Sequence, residues 1–312
     1  MRAEHDAAPV TDRYVVGIDA GATKTRAFAV DRKGEVVGRG AGGGANLLSS
    51  SDPLGSIGAA LNEALGGRPA EAVVLSAAGG DRKADRERGR ELLARVAPAG
   101  ARLLVTHDAI AALYAGNPAG CGVVLIAGTG SIAYGRNEEG EEDRAGGWGY
   151  LAGDEGSAVW CGLEALRAVA HAVDGRGAPT RIMPLLFQEM GVGEFGDVLP
   201  QLYGKPHPAP AIIAAARALA VASSESDAIA MNILQRGAVS LARAASVVAL
   251  TLSLPGGPVY LSGGAFESLP LLQQLVRLEL LGSLPRASVE PVREEPAMGA
   301  ARIAMELAWT AR

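Results

Sequence analysis

Apolar residues in the first third of the chain form short runs separated by glycine-centred turns. The runs YVVGID, TRAFAVD and EVVGRG, which start at Tyr14, predict three short strands joined as hairpins. A helix is expected next, because apolar side chains recur at helical spacing at Leu54, Ile57, Leu61 and Leu65. Strands at 72–76 and 102–105, each followed by a helical pattern, complete an alternation that is typical of an α/β domain with a layered sheet.

The same plan then starts again. The segment GVVLIAGTGSIAYGRNEEGEE repeats the order of YVVGIDAGATKTRAFAVDRKGEV: an apolar strand, a Gly/Thr turn, a second strand and a glycine hairpin. This pattern predicts an internal duplication. Helices are expected afterwards at 155–173, 179–190, 209–222 and 226–250. The end of the chain predicts a strand at 258–264, one helix through ESLPLLQQLVRLEL, a short strand near 287–289 and a closing helix from residue 296.

A chain of 312 residues is long enough for two domains of roughly 150 residues each. We predict an N-terminal domain at 13–118, with the closing helix 296–312 as a candidate addition to it. Residues 119–295 then form a C-terminal domain with helical insertions, and a ligand-binding cleft is expected between the two domains.

Composition narrows the choice of partners. A hydrophobic share of 48% with 20% charged residues is typical of a globular protein rather than a disordered one. The formal net charge of -5 provides no basic surface for nucleic acid or for an anionic membrane, so neither is expected as a partner. The longest apolar runs are interrupted by polar residues and are interpreted as buried helices.

Cysteine usage and the N-terminus predict a cytoplasmic protein. Cys121 and Cys161 are the two cysteines, and the first residues are charged where a secretory signal would be apolar. The four histidines, His5, His107, His171 and His207, are scattered, and none pairs with a cysteine or another histidine at ligand spacing. No structural zinc site is therefore expected.

The first motif with chemical content is GIDAGATKT. A strand ends near Asp19, and the turn that follows contains Gly21, Thr23 and Lys24. Backbone N–H groups, a hydroxyl and an ammonium in one place suit a polyphosphate, although a plain glycine turn with a solvated lysine explains the same residues about as well. The motif is not a Walker A loop, because the Gly-Lys-Ser/Thr run and the following helix are missing.

A second turn of this kind lies in IAGTGSIAYG, with Gly128, Thr129 and Gly130 after an apolar strand. The match to a dinucleotide-binding fingerprint is rejected, because that site requires a helix directly after the glycines whereas this segment continues as a strand. Two Gly/Thr turns at the same position of duplicated halves would hold a phosphate chain from both sides, and the pair is more specific than either turn alone.

Two further segments allow a functional and a structural interpretation. In LSGGAF, Gly263 and Gly264 could let an adenosine ring approach the backbone, or could simply form a tight strand-to-helix turn. In VTHDAIAAL, Asp108 follows a strand and begins a helix. It could act as a general base, but helix capping by Asp is the more common role at such a position.

The segment AGGWGYLAGDEGS concentrates five glycines between a strand and a long helix. Gly147 would bring the backbone close to a ligand, Trp148 offers an apolar face to a sugar ring, and Asp154 could accept hydrogen bonds from sugar hydroxyls. The structural alternative is that Trp148 fills a core and that Asp154 or Ser157 caps the helix.

Taken in order, GIDAGATKT, the asparagine of GGGANLL, THDA, IAGTGS, GGWGYLAGDEGS, LSGGAF and PAMGAA resemble the motif set of the N-acetylglucosamine kinases. These enzymes belong to the BadF/BadG/BcrA/BcrD-type ATPases of the acetate kinase, sugar kinase, Hsp70 and actin superfamily. The resemblance covers nearly the whole chain from Tyr14. It implies an α/β protein with two ribonuclease H-like domains, ATP with Mg²⁺, and phosphoryl transfer to the 6-hydroxyl of an amino sugar.

The resemblance also implies roles for individual residues. Asp108 matches the catalytic base, and Asp19 matches the acid that holds magnesium. Residues that match sugar-contacting positions are Asn46, Asp108, Gly147, Trp148 and Asp154. Residues expected at ATP are Gly21, Thr23, Lys24, Thr129, Gly130, Gly263 and Gly264.

Departures from the animal enzymes leave the sugar open. A serine and a cysteine of those enzymes align with Ala78 and Ala145, so glucosamine and N-acetylmuramic acid stay in consideration beside N-acetylglucosamine. An ATPase activator that carries an iron–sulfur cluster is disfavoured, because neither cysteine lies in a Cys-rich loop. A nucleotide-dependent sugar sensor on the same fold is a third alternative, and a homodimer is left open.

Overall fold

The computed structural model describes residues 13–80, 82–203 and 209–309. The segment 1–12, on which the expectation of no secretory signal rests, lies outside the described residues. So do His207 and the last three positions of the predicted closing helix, 310–312.

Ten strands and eleven α-helices follow one another in the described part of the chain. The strands are β1 Val15–Ala20, β2 Lys24–Val30, β3 Val36–Gly43, β4 Ala72–Ala77, β5 Arg102–His107, β6 Gly122–Ala127, β7 Ser131–Arg136, β8 Glu142–Gly146, β9 Val259–Ser262 and β10 Val289–Pro291. The helices are α1 Pro53–Leu65, α2 Lys83–Val96, α3 Asp108–Gly116, α4 Ala158–Val173, α5 Ile182–Met190, α6 Leu199–Tyr203, α7 Pro210–Ser224, α8 Ala228–Thr251, α9 Gly264–Ser268, α10 Pro270–Ser283 and α11 Pro296–Trp309.

The described residues form two compact units. The first contains the chain up to Gly120 together with the segment from Arg293 onward, and the second contains Cys121–Val292. In the first unit the sheet has the order β3-β2-β1-β4-β5, with β1, β2 and β3 antiparallel and with β1, β4 and β5 parallel. The second sheet has the order β10-β9-β6-β7-β8.

These two sheets have the same topology. In each, the first strand of the unit is central, two strands that follow pair antiparallel on one side, and two later strands pair parallel on the other. The expected fold class, α/β with two ribonuclease H-like domains, is therefore confirmed, and so is the duplication that the sequence pattern predicts. Helices α4 to α8 are inserted between β8 and β9 of the second unit.

Small residues allow α11 to lie directly on the sheet of the first unit. A Cβ at Gly17 in β1 would lie 2.0 Å from the backbone nitrogen of Ala301. A Cβ at Gly299 would lie 1.9 Å from the carbonyl oxygen of Ala111 in α3. The glycines of the GID and PAMGAA segments are thus explained by close packing of α11 against β1 and α3.

The expectation of one helix through ESLPLLQQLVRLEL is wrong, because the segment forms α9 and α10 with Leu269 between them. Leu269 has φ -126° and ψ 70°, outside the helical region, since the residue before a proline is driven away from it. Pro270 then occupies the first turn of α10, where its missing N–H costs nothing. The pattern also did not predict α6 or the short 3-10 helix Phe195–Val198.

Helix α8 meets the length and hydropathy of a membrane-crossing segment, with 24 residues and a mean hydropathy of 1.3 in its most apolar window. However, 56% of that window is buried, and α8 packs against α10, α4, β7 and β8. It is a core helix of the second unit, as the apolar runs of the sequence predict.

Candidate active site

The β1–β2 turn closes by backbone hydrogen bonds. The Gly21 N–H donates to the carbonyl oxygen of Lys24 at 3.0 Å, and the Ala45 N–H donates to the Gly21 carbonyl at 2.9 Å. Thr23 and Lys24 are exposed on this turn. The turn therefore presents a hydroxyl and an ammonium from a fixed backbone, as a phosphate-binding turn would.

Asp19, at the end of β1, has the most strongly perturbed carboxyl group of the first unit. Its pKa is raised to about 7, mainly by burial and then by the negative charge of Asp108. The positive charge of Lys24 lowers the pKa of Asp19, and the negative charge of Glu295 raises it by a smaller amount. Asp19 and Asp108 therefore lie close enough to repel each other, in a place where little solvent screens them.

Asp108 is the first residue of α3, and the N-cap position belongs to His107, whose side chain makes no capping bond. The structure therefore does not support the interpretation of Asp108 as the N-cap. In the first turn its negative charge is still favoured by the helix dipole. Its carboxylate lies half-buried at the carboxyl end of β5.

Asn46 lies in the loop between β3 and α1, and its side-chain oxygen accepts hydrogen bonds from the N–H groups of Leu48 at 2.9 Å and Ser49 at 3.2 Å. The side-chain NH₂ is then the part of Asn46 that can donate to a ligand. Ala78 is tied to this region, because its N–H donates to Ala20 at 2.9 Å and its carbonyl accepts from Leu47 at 3.0 Å. Ala78 thus lies between the end of β1 and the Asn46 loop.

The first unit fits a magnesium ion held through one carboxylate. Asp19 is half-buried, and its pKa is raised mainly by burial and then by the charge of Asp108, so a divalent cation beside it would stabilise the ionised carboxylate. Among residues 13–80, 82–203 and 209–309, no three His, Cys, Asp or Glu side chains form a metal-binding group. That arrangement suits Mg²⁺, which keeps several waters and takes its other ligands from phosphates.

The β6–β7 turn of the second unit is also closed on itself and is anchored to α4. The Gly128 N–H donates to the Gly130 carbonyl at 2.8 Å, and the Gly128 carbonyl accepts from the N–H of Ala158 at 2.9 Å. The Ser131 hydroxyl donates to the carbonyl of Glu155 at 3.0 Å. The exposed Thr129 lies at the tip of this turn.

Asp154 connects this turn to the glycine-rich loop. It is only 8% exposed, has φ 57°, and accepts hydrogen bonds from the backbone N–H groups of Ser131 and Gly149. Burial is the main cause that raises its pKa above the usual value. A Cβ at Gly130 would lie 2.7 Å from Asp154 Oδ2, so only glycine fits there without displacing the carboxylate. The helix cap is Ser157, whose Oγ accepts from the Trp160 N–H at 3.1 Å.

Trp148 does not fill a core. It is 69% exposed, and the guanidinium carbon of Arg144 lies 5.4 Å from the centre of its ring. Gly147 before it has φ 73°, and a Cβ there would lie 2.9 Å from Ile132 Cδ1. The glycines of this loop therefore serve the backbone conformation that holds the indole ring at the surface.

The two glycines of LSGGAF differ. Gly263 has φ 107°, and a Cβ on it would lie 2.3 Å from the Ala127 carbonyl oxygen and 3.0 Å from the Gly128 nitrogen. At Gly264, the first residue of α9, a Cβ would meet nothing within 4 Å. The first glycine is required by packing against the β6–β7 turn, whereas the second leaves open space beside that turn.

Comparison with known proteins gives the family. The family model described as "BadF/BadG/BcrA/BcrD ATPase family" matches residues 16–304. The chain belongs to this ATPase family.

Two curated relatives of this chain are similar over nearly their whole length. The N-acetylmuramic acid/N-acetylglucosamine kinase of Clostridium acetobutylicum is 28% identical, and the alignment covers 94% of this chain and 98% of that protein. The N-acetyl-D-glucosamine kinase of Dictyostelium discoideum is 29% identical, with coverage of 93% and 97%. Among solved structures, a proposed N-acetylglucosamine kinase from Chromobacterium violaceum shares the fold with a TM-score of 0.74 at 24% identity, covering 95% of this chain and 99% of that one.

The candidate residues of this family member form one group in each unit. In the first, Asp19, Lys24 and Asp108 interact electrostatically. In the second, hydrogen bonds and packing join the β6–β7 turn to Asp154 and Gly263.

One polar residue supports each group: Ser131, which belongs to the IAGTGS motif, and Ser76, which was not singled out from the sequence. Ser131 and Ser76 are buried hydroxyls that hydrogen-bond to neighbouring backbone. A serine inside the otherwise apolar run AVVLSA is the signal that could have identified Ser76.

Proposed function

We propose that this protein transfers the γ-phosphoryl group of ATP to a hydroxyl of an amino sugar, with the 6-hydroxyl of N-acetylglucosamine as the preferred acceptor. The observation that carries the proposal is the acid pair of Asp19 and Asp108. In this pair Asp19 would bind a metal ion and Asp108 would accept a proton. The activities of the two curated relatives, at 28% and 29% identity over nearly the full chain, support the substrate class.

Asp108 is the proposed general base. Its carboxylate lies at the N-terminal turn of α3, half-buried and free of the N-cap position. There it accepts the proton of the sugar hydroxyl as the hydroxyl oxygen attacks the γ-phosphorus, while ADP leaves with the β–γ bridging oxygen. The new oxygen–phosphorus bond forms as the γ-phosphorus–bridging oxygen bond breaks.

Asp19 is the proposed magnesium-binding residue. A magnesium ion bound with ATP would neutralise charge on the phosphate oxygens. Lys24 and Thr23, exposed on the β1–β2 turn, are proposed to bind the phosphate chain together with the N–H groups of that turn. Thr129 and Gly130 have the equivalent role on the β6–β7 turn, and Gly264 leaves space for the adenosine.

The sugar is proposed to contact Asn46, Gly147, Trp148 and Asp154. The Asn46 amide nitrogen can donate to a sugar oxygen because its oxygen is engaged by backbone. Asp154 accepts two backbone hydrogen bonds, and a carboxylate has about four acceptor sites, so capacity is left for sugar hydroxyls. The exposed face of Trp148 suits an apolar ring face.

An ATPase activator is the weaker candidate. An iron–sulfur cluster needs accessible thiolates. Cys161 is fully buried in α4, and burial raises its pKa to about 12. Burial also raises the pKa of Cys121. Neither thiol suits cluster binding at a surface.

A second candidate acceptor is N-acetylmuramic acid, which carries a carboxylate that N-acetylglucosamine lacks. The observation that favours it is Arg144, whose guanidinium lies over the Trp148 ring and would pair with a carboxylate next to a sugar on that ring. Arg144→Gln removes the charge, and Arg176→Gln, at an exposed arginine on the loop after α4, is the matched control. We expect Arg144→Gln alone to lower kcat/KM for N-acetylmuramic acid about tenfold while leaving N-acetylglucosamine unchanged.

The test of the proposed function is a comparison of acceptors. The specificity constant is measured with Mg-ATP for N-acetylglucosamine, glucosamine, N-acetylmuramic acid and glucose, and Asp108→Asn protein from the same preparation controls for contaminating kinases. An amino sugar is expected to be preferred over glucose, because site groups that bind the amino substituent are left unpaired by glucose. If glucose is preferred, or no sugar stimulates ATP consumption, the assignment fails. A cytoplasmic location stays a prediction, and a homodimer stays open.

A further inference from the structure

Ser76 is a buried hydroxyl in a strand that is otherwise apolar. The sequence of β4 is AVVLSA, and Ser76 is 0% exposed. A hydroxyl placed among apolar side chains destabilises the fold unless it is hydrogen-bonded. The hydrogen-bond partner of Ser76 therefore indicates what the hydroxyl does.

The Ser76 hydroxyl donates to the carbonyl oxygen of His107 at 2.8 Å. His107 is the last residue of β5 and directly precedes Asp108. Because a peptide unit is planar, the carbonyl oxygen of His107 and the Cα of Asp108 lie in one rigid plane. A bond that holds this oxygen therefore restrains the position of the Asp108 Cα, from which the side chain leaves the backbone.

The position of Ser76 in the sheet extends this link to the other acid. In the parallel ladder Ser76 is the register partner of Asp19 on β1 and of Thr106 on β5. It thus lies between the strand that carries Asp19 and the strand that leads to Asp108. A rotation at His107 would therefore displace Asp108 relative to the strand that carries Asp19.

We propose that Ser76 is a positioning residue for the proposed base Asp108, acting through the His107 carbonyl. This inference rests on the proposed function. Loss of the hydroxyl releases the His107–Asp108 peptide plane, and the Asp108 carboxylate then meets the acceptor hydroxyl less often in the reactive geometry. ATP and most of the sugar contact other residues, so the binding of both is largely retained.

Two substitutions separate the hydrogen bond from the volume of the side chain. Ser76→Ala removes the hydroxyl, and Ser76→Cys fills the same space with a much weaker donor. The matched control is Ser223→Ala in α7, which removes a buried hydroxyl that also donates to a backbone carbonyl at 2.8 Å. For each variant, kcat, both KM values and the unfolding temperature are measured.

We expect kcat to fall about 10- to 100-fold in Ser76→Ala and Ser76→Cys, since misplacement of a catalytic group by about an ångström costs this much. Both KM values are expected to stay within about twofold of the wild type, because the substitution acts on positioning rather than on binding. Ser223→Ala is expected to keep its kcat. In an Asp108→Asn background, Ser76→Ala is expected to cause no further loss, because there is no base left to position.

An unchanged kcat in folded Ser76→Cys protein would overturn the inference. A loss of kcat by the same factor in the wild-type and Asp108→Asn backgrounds would overturn it as well. A loss that appears in KM rather than kcat would equally contradict it. If Asp108→Asn by itself has wild-type turnover, Asp108 is not the base. That result contradicts the proposed function and is distinguished from failure of the Ser76 inference by the single variant.

Discussion

The β1–β2 turn and the β6–β7 turn occupy the same position in two duplicated units but carry different chemistry. Each follows a central six-residue strand, and each is closed by a hydrogen bond from its first glycine. At the fifth position of the strand the first unit has Asp19 and the second has Ile126. At the first position of the next strand the residues are Lys24 and Ser131.

This difference shows that duplication preserved the backbone and not the charges. The first turn lies beside Asp19, whose pKa is raised to about 7 by burial and by the charge of Asp108. The second turn instead supports the buried Asp154 through backbone hydrogen bonds. We expect changes at Asp19 and Asp108 to affect metal and proton chemistry, and changes near the second turn to affect binding of nucleotide and sugar.

The largest effect is expected from Asp108→Asn. Loss of a general base lowers kcat by roughly 100- to 10,000-fold. The amide keeps the volume of the side chain, so the unfolding temperature and ATP affinity are expected to match the wild type. Steady-state kinetics, calorimetric ATP binding and thermal unfolding check these outcomes. Turnover close to wild type would show that Asp108 is not the general base.

A smaller effect is expected from Asp19→Asn. Outer-shell partners of a metal typically contribute 10- to 100-fold in affinity, so the Mg²⁺ concentration for half-maximal activity should rise by about that factor. The affinity for sugar in the absence of nucleotide provides the internal control and should not change. If sugar and metal affinities fall equally, the division of roles between the two units is wrong.

The paired glycines of the second unit distinguish packing from ligand space. Gly263→Ala places a Cβ 2.3 Å from a carbonyl oxygen at φ 107°, and such strain costs about 1–3 kcal/mol before the clash is added. Gly264→Ala meets no protein atom within 4 Å and should fold normally while raising KM for ATP about tenfold or less. Thermal unfolding and nucleotide titration of both variants test this contrast. An unchanged KM for ATP in Gly264→Ala would place the adenosine elsewhere.

The last effect concerns stability rather than activity, and it is the pH dependence of unfolding without metal or nucleotide. The pKa of Asp19 is raised from 3.8 to about 7 in the folded state, so folding favours the protonated form. Its contribution to the free energy of unfolding is therefore fully present below the unfolded pKa and is lost as the pH rises towards and through 7. Denaturant unfolding at pH 5 and pH 8 should show a smaller decline in Asp19→Asn than in the wild type. An identical decline would mean that Asp19 is not perturbed.

Much of the fold could be predicted from local pattern. Period-two strands and glycine turns have the same signature wherever they occur, so the two hairpin sets and their repetition were visible in the letters. Pro270 also indicated a helix break at Leu269, but the strong apolar periodicity after it led to the prediction of one continuous helix.

The candidate site was less accessible to sequence reasoning, because its properties depend on contacts between distant segments. The THDA segment does not indicate that His107 is the N-cap residue and that Asp108 lies in the first turn of the helix. The exposure of Trp148 and the hydrogen bonds of Asp154 depend on how the glycine-rich loop folds on β7. The bond from Ser76 to His107 joins residues 31 positions apart and exists only once β4 and β5 pair.

The central claim is tested most directly by identifying the product formed from N-acetylglucosamine and Mg-ATP. Phosphorus and proton NMR of the reaction mixture should show a phosphomonoester on the 6-hydroxyl, with one ADP formed for each sugar phosphate. ADP accumulating with inorganic phosphate and unchanged sugar would contradict phosphoryl transfer and favour an ATPase.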